Sequence, residues 1–248
     1  MKKVWLMIAA SMLMACASGE ETEQVHVMAA ASLSDALGDI EEMYEEEEHV
    51  ELIMNYGSSG QLRQQIVQGA PVDVFISAAE SDMEMLVDRG EVSETTSLLR
   101  NRLQLISTPE MEIADWSNLM TVDFQGLAVG HPESVPAGKY AAQVLENMNL
   151  HTELEDEFVY GQDVRQVLTY VETGNADVGI VYQTDALSTE DVQSVALAPE
   201  DSHEPIVYPI GLIGDVSERA EHFYDWVQTD EPLHIFESYG FEIGVQHD

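Results

Sequence analysis

Near the start of the chain, the stretch Ala29-Ala30-Ala31-Ser32-Leu33-Ser34-Asp35 follows a short β-like run at residues 25–28. It opens a segment in which apolar residues recur at helical spacing: Leu33, Leu37, Ile40 and Tyr44. We therefore predict a strand that turns directly into a helix, with Ser or Asp as the helix N-cap. Small residues at such a turn let a ligand approach the backbone, and the unpaired N–H groups of a helix N-terminus hold anions. A capped helix that binds nothing is the simpler interpretation of one such junction alone.

This kind of junction recurs in the chain. It appears again at Gly57-Ser58-Ser59, at Pro136-Ala137-Gly138 and at Gln162-Asp163-Val164, each time where a β-like run meets a helical one. In open α/β sheets, ligands bind beyond the carboxyl ends of the strands, at junctions of this kind. Four helix N-termini that met in space would form a pocket rich in N–H donors. The sequence alone does not establish that they meet.

Strand-like and helical segments alternate along the whole chain, which predicts an α/β fold with largely parallel sheets. Strands are predicted at residues 25–28, 50–56, 72–77, 102–107, 127–130, 158–160, 178–182, 192–197 and 206–213. Helices are predicted from residue 33 and at residues 61–68, 81–88, 138–147, 164–172 and 217–239. A length of 248 residues suits one large domain or two modest ones.

The charge balance excludes several classes of function. The chain carries 47 acidic against 9 basic residues, a formal net charge of −38, spread along its length. Such a surface repels nucleic acids and anionic membranes, so we expect neither as a partner. Diffuse acidity of this kind is typical of proteins that work in strong salt, where self-repulsion is screened.

We therefore expect the protein to lose stability as salt is removed, because the acidic groups then repel one another at longer range. Thermal unfolding measured over a series of salt concentrations tests this hypothesis. Stability that does not change with salt would rule it out.

The first 16 residues have the pattern of a signal peptide. Lys2 and Lys3 precede an apolar run at residues 5–14, which is too short to span a bilayer comfortably. Leu13-Met14-Ala15-Cys16 resembles the lipobox of bacterial lipoproteins, which implies cleavage before Cys16 and lipidation of that residue. Residues 17–24 would then form a tether to the outer face of the cell membrane. An ordinary cleaved signal with an incidental Cys16, the only cysteine of the chain, is the alternative.

The junction residues also carry a family resemblance. The motifs Ala29-Ala30-Ala31-Ser32-Leu33 and Tyr56-Gly57-Ser58-Ser59-Gly60 resemble those of the substrate-binding proteins of bacterial molybdate ABC transporters. Similar segments follow in family order at residues 69–78, 129–138, 162–165, 179–182 and 239–241. The resemblance covers nearly the whole chain after the signal peptide.

This resemblance implies a two-lobed periplasmic-binding-protein fold of type II. Each lobe would be a mostly parallel mixed sheet flanked by helices, and two hinge crossovers would join the lobes. The first lobe would comprise residues 25–104 and 205–248, and the second would comprise residues 105–204. The implied function is capture of molybdate, and of tungstate, between the lobes and delivery to an ABC transporter permease. We expect a monomer that touches the membrane only through its lipid anchor.

Five ligand contacts follow from the resemblance, residue by residue. Ser32 and Ser59 would each offer a hydroxyl and a backbone N–H, Ala137 and Val164 a backbone N–H, and Tyr182 its hydroxyl. The sequence departs from the family pattern near the site at Gly60, where relatives can carry a third serine. A glycine there would loosen the loop without removing a primary contact.

The sequence leaves other functions open. The ligand could be another small anion, such as sulfate, phosphate or an organic acid. A serine hydrolase using Ser32 or Ser59 is disfavoured, because no GxSxG motif is present and no base is placed by the sequence to activate either serine. A sensory or adhesive lipoprotein could keep the fold without transport. The eight histidines show no metal-ligand spacing, so no cofactor and no bound metal cation are expected.

Overall fold

The structure, a computed structural model, describes residues 24–244. The predicted signal peptide with Cys16 and nearly all of the predicted tether lie outside these residues. The first strand begins at Gln24, the last residue assigned to the tether. Within the described residues, no helix has both the length and the apolar character needed to cross a bilayer.

Two mixed sheets organise the chain. The first lobe is built on a six-stranded sheet of β1 (Gln24–Ala30), β2 (Glu51–Gly57), β3 (Val74–Ile76), β4 (Val92–Asn101), β10 (Ile206–Ile213) and β11 (Glu242–Ile243). The second lobe is built on a five-stranded sheet of β5 (Leu103–Ser107), β6 (Leu127–Gly130), β7 (Phe158–Gly161), β8 (Val178–Tyr182) and β9 (Gln193–Leu197). The strand orders are β11-β4-β10-β3-β1-β2 and β7-β6-β8-β5-β9.

The sheets contain more antiparallel pairs than predicted. Parallel pairing is limited to β1 with β2 and β3, and to β6 with β7 and β8. Each of the five antiparallel pairs among the described strands includes β4, β5 or β10, which are strands that border the crossovers. The hydrophobic pattern within a strand does not specify the direction of its neighbour, so only the strand positions could be predicted from it.

The chain crosses between the lobes twice. It leaves the first lobe at the end of β4 and enters β5 after one residue, Arg102, so the predicted boundary at 104 lies inside β5. It returns through residues 198–205, which lead into β10. The α/β architecture with two sheets agrees with the prediction.

Nine helices cover the sheets in the described part of the chain. They are α1 (Ser34–Glu48), α2 (Ser59–Val67), α3 (Glu80–Asp88), α4 (Pro136–Asn147), α5 (His151–Leu154), α6 (Val164–Glu172), α7 (Gln183–Leu187), α8 (Glu218–Trp226) and α9 (Asp230–Ser238). The predicted helix at 217–239 is thus two helices. The sequence did not reveal α5 and α7, which are short, or β11 and β4.

Burial explains why the periodic segments fold as they do. In α6, Val164, Val167, Leu168 and Val171 are buried, and their spacing places them on one face of the helix. In α1, the buried Leu37, Ile40 and Tyr44 lie opposite the glutamates near its end, several of which are exposed. By contrast, the first half of β4 is polar after Val92, and its pairing with β10 makes it a strand.

Candidate functional site

The four junctions meet at one cavity between the two lobes. The space in it that the centre of a water molecule can occupy is about 10 Å³, far below the roughly 300–1,000 Å³ of pockets for drug-sized ligands, so it suits only a small ligand. All five residues singled out from the sequence line it: Ser32, Ser59, Ala137, Val164 and Tyr182. Each of these residues is at least nine-tenths buried. The fold therefore brings together what the sequence could only place at separate junctions.

Three of the four helices at the cavity begin without a side-chain cap. A 3-10 turn, Ala31–Leu33, leads into α1, and neither it nor α1, α2 or α4 has a side chain that accepts from its first N–H groups. The expected serine caps are thus absent, because Ser32 bonds elsewhere and Ser58 does not cap α2. Only α6 is capped, by Asp163, whose Oδ1 accepts from the Gln166 N–H at 2.9 Å. Uncapped first-turn N–H groups are available for an anion.

The two predicted serines are held by different partners. The Oγ of Ser59 accepts a hydrogen bond from the backbone N–H of Ala78 at 2.8 Å. The Oγ of Ser32 lies 2.9 Å from the hydroxyl of Tyr208, in β10. Each hydroxyl therefore has one protein partner, and both serines line the cavity.

Ser58 is a further lining residue that the sequence reasoning did not select. It is 4% exposed, and its Oγ has no hydrogen-bond partner within the described residues. A buried hydroxyl without a partner is uncommon and indicates a missing polar group such as a ligand or water. The doubled serine at residues 58–59 was the available signal.

Tyr182 ends β8 and is 1% exposed. Its hydroxyl lies 3.5 Å from the carbonyl oxygen of Ala78, at the outer limit of a hydrogen bond. Burial raises the pKa of the Tyr182 phenol well above its usual range, so it stays a hydrogen-bond donor.

No lysine or arginine lies among the described residues that line the cavity. The basic residues near it are paired with acids: Arg63 with Asp82 at 2.8 Å, Lys139 with Glu204 at 3.2 Å and Arg165 with Asp35 at 3.0 Å. The attraction for an anion therefore comes from hydroxyls and backbone N–H groups rather than from a full positive charge.

The two lobes are in contact beside the cavity. The N–H of Gly60, in α2, donates to the carbonyl oxygen of Ser134 in the second lobe at 3.1 Å. A Cβ at residue 60 would lie 2.6 Å from that oxygen, so the contact requires glycine. This replaces the expectation of a loosened loop: Gly60 permits close approach of the lobes. The Arg165–Asp35 ion pair also joins α6 to α1 across the cleft.

Asp185 lies behind Tyr182 and is fully buried. Its Oδ2 accepts from the Tyr182 N–H at 3.2 Å, and its Oδ1 lies 3.6 Å from Nη1 of Arg165. Burial raises the pKa of the Asp185 carboxyl to about 7, against the lowering effect of Arg165. Arg165 thus contacts one acid from each lobe.

Comparison with known proteins agrees with this geometry. The family described as bacterial extracellular solute-binding proteins matches residues 25–242. The chain belongs to this family. It is a family of solute-binding proteins rather than of enzymes.

Individual relatives in this solute-binding family carry transport names. YvgL of Bacillus subtilis, named as an ABC transporter substrate-binding lipoprotein, is 44% identical over 229 residues, which are 90% of this chain and 87% of that protein. The molybdate-binding protein ModA of Escherichia coli is 35% identical, with 89% of each chain covered. A solved structure from Clostridium difficile, described as the substrate-binding domain of a molybdenum ABC transporter, is 39% identical with a TM-score of 0.69. The match covers 90% of this chain and 99% of that one.

Gly60→Ala tests the contact between the lobes. The added Cβ would press on the Ser134 carbonyl, and we expect the affinity for molybdate, the ligand that the resemblance implies, to fall about tenfold. Isothermal titration measures the change. Gly38→Ala in α1, where a Cβ meets nothing within 4 Å, is the matched control. Equal affinities of the two variants would show that the lobes close without this contact.

Asp185→Asn tests the buried carboxyl. Because its folded-state pKa lies above the ordinary value, folding takes up a proton, and the contribution of this carboxyl to the free energy of unfolding falls as the pH rises from about 4 to about 7. We expect the free energy of unfolding of the variant to fall less than that of wild type over this pH range. Urea unfolding over that pH range measures it, with Asp88→Asn as an exposed control. The same pH dependence in wild type and Asp185→Asn would contradict the assignment.

Proposed function

We propose that the protein is an extracytoplasmic solute-binding protein that captures molybdate between its lobes and delivers it to the permease of an ABC transporter. The observation that carries the proposal is the meeting of five donor residues at one small cavity: Ser32, Ser59, Ala137, Val164 and Tyr182. Relatives that span most of the chain and are named as molybdate-binding proteins support the same ligand.

The chemistry of the cavity suits a tetrahedral dianion. Molybdate has four oxygens that only accept hydrogen bonds near neutral pH, and donors from both lobes can surround it. Hydrogen bonds to a charged acceptor are roughly twice as strong as neutral ones. Backbone N–H groups at helix starts add partial positive charge without a counter-ion.

The same donors would discriminate among anions. A protonated phosphate would place its O–H against donors and leave it unpaired, which is unfavourable in a buried site. Sulfate has the same charge and shape but shorter bonds, so it would make looser contacts. Tungstate is nearly the size of molybdate, and we expect it to bind as well.

An enzymatic role for the serines has little support from the site. Ser32 contacts a tyrosine and Ser59 accepts from a backbone N–H. Among the described residues, no histidine, lysine or carboxylate forms a hydrogen bond with either hydroxyl. A serine nucleophile needs such a base within hydrogen-bond reach.

Delivery would follow from closure of the lobes around the ligand. Donors from both lobes bind the anion, so binding favours a closed form that a permease can recognise. The anchor for this role would be Cys16, through lipidation after cleavage of residues 1–15. A monomer suffices, because both halves of the cavity come from one chain.

Isothermal titration of residues 17–248 in strong salt tests the proposal. We expect one-to-one binding of molybdate and tungstate, with sulfate and phosphate much weaker. Ser32→Ala and Tyr182→Phe each remove one hydroxyl donor to a charged ligand, and each should weaken molybdate binding about 10- to 100-fold.

Two matched variants control for general effects. Ser93→Ala and Tyr44→Phe remove hydroxyls that bond to Leu212 and to His222, neither of which lines the cavity, and should leave the affinity unchanged. A folded protein that ignores molybdate but binds sulfate or an organic anion would keep the class and change the ligand. A folded protein that binds no anion would overturn the proposal.

A further inference from the structure

The Ser32 hydroxyl is hydrogen-bonded to the Tyr208 hydroxyl, and either oxygen can be the donor. A serine hydroxyl both donates and accepts, so it can present either a hydrogen or a lone pair to a ligand. An anion needs the hydrogen. The partners of Ser32 decide which is presented.

The chain of partners begins at Asn101, the last residue of β4. Its Oδ1 accepts from the Arg102 N–H at 2.8 Å, which fixes the orientation of the amide because that N–H can only donate. The Nδ2 therefore faces the other way, where it donates to the hydroxyl of Tyr208 at 3.3 Å and to Oγ1 of Thr184 at 2.9 Å.

Tyr208 passes this direction on to Ser32. Its oxygen accepts from Asn101 and also from the Tyr182 hydroxyl, a hydrogen bond that helps to keep Tyr182 protonated. The Tyr208 hydrogen is therefore available for the Ser32 Oγ at 2.9 Å. Tyr208 is fully buried, and burial raises its pKa well above the usual range, so the phenol keeps this hydrogen. Ser32 then accepts from Tyr208, and its own hydrogen is left to point into the cavity.

Ser59 reaches the same state by a simpler route, because the backbone N–H of Ala78 donates to its Oγ. Both serines thus present hydrogens to the ligand. The direction of the hydrogen bond to Ser59 cannot be reversed, because a backbone N–H can only donate. The direction of the hydrogen bond to Ser32 depends on two side chains, Tyr208 and Asn101.

We propose that Tyr208, oriented by Asn101, is a positioning residue that makes Ser32 a hydrogen-bond donor and so favours fully deprotonated oxyanions over hydrogen phosphate. This inference rests on the proposed function and deepens it. Tyr208 does not line the cavity, and it acts through Ser32. Without the phenol hydrogen, the Ser32 oxygen is free to accept a hydrogen bond from the O–H of hydrogen phosphate.

A double-mutant cycle in the same protein tests the inference, with molybdate as the titrant. Tyr208→Phe keeps the ring contacts with Tyr182 and Phe241 and removes only the hydroxyl. We expect it to weaken binding about tenfold in wild type and less than about twofold in Ser32→Ala, because the residue acts through that hydroxyl. Tyr44→Phe, which removes another buried phenol hydroxyl, is the control and should leave the affinity unchanged.

The ratio of the affinities for molybdate and hydrogen phosphate is a second measurement. A purely structural role of Tyr208 would not change this ratio. Competition titrations with phosphate at mildly alkaline pH compare molybdate with hydrogen phosphate, both of them dianions. The ratio of their affinities should fall in Tyr208→Phe. It should also fall in Asn101→Asp, whose carboxylate accepts from Tyr208 and turns the phenol hydrogen away from Ser32. The added negative charge repels both dianions alike, so it leaves the ratio unaffected.

The outcomes separate this inference from the proposed function. Additive losses in the cycle, or an unchanged ratio in both Tyr208→Phe and Asn101→Asp, would overturn the orienting role while molybdate binding by wild type still stands. If Tyr208→Phe does not fold, the ratio measured in Asn101→Asp decides alone. A wild type that binds no oxyanion would overturn both, since the inference requires an anion at Ser32.

Discussion

The site depends on three helix starts that no side chain caps and on one buried hydroxyl without a partner among the described residues. Helices α1, α2 and α4 begin beside the cavity without side-chain caps, and the Ser58 hydroxyl is buried there without a partner. Groups of this kind are unfavourable in a dry interior unless something accepts from them. The protein therefore has hydrogen-bond donors without side-chain acceptors at the junction of its lobes, and a small anion can accept from them.

The chain as a whole is strongly acidic, whereas the donors that line the site are neutral. The chain carries a formal net charge of −38, yet the cavity is lined by neutral donors, and Arg165 is engaged with Asp35 rather than with the cavity. A long-range field of that sign opposes the approach of a dianion, and salt screens it beyond about 8 Å at physiological ionic strength. Short-range hydrogen bonds are screened far less, so capture depends on the local donors.

The sequence predicted the periodic parts of the fold well. The bounds of β6, β8, β10 and α6 agree with those inferred from hydrophobic spacing, because their residues are buried in the expected pattern. It missed β4, whose first half is polar after Val92 and is held by pairing with a strand over a hundred residues away. It also missed the roles of Ser58, Asn101 and Tyr208. Their neighbours come from distant parts of the chain, and local pattern carries no information on such contacts.

The two crossovers differ in length, and this sets how the lobes can separate. A single residue, Arg102, joins β4 to β5, whereas residues 198–205 form the return. The short link allows less movement than the long one, so we expect the lobes to open by rotation about the end of β4. Asn101 lies at that end with one amide hydrogen bond to each lobe, to Tyr208 and to Thr184. Any swing of the second lobe must therefore strain or release the residue that orients Ser32, and the empty, open protein need not present the same face to an arriving ion as the closed one.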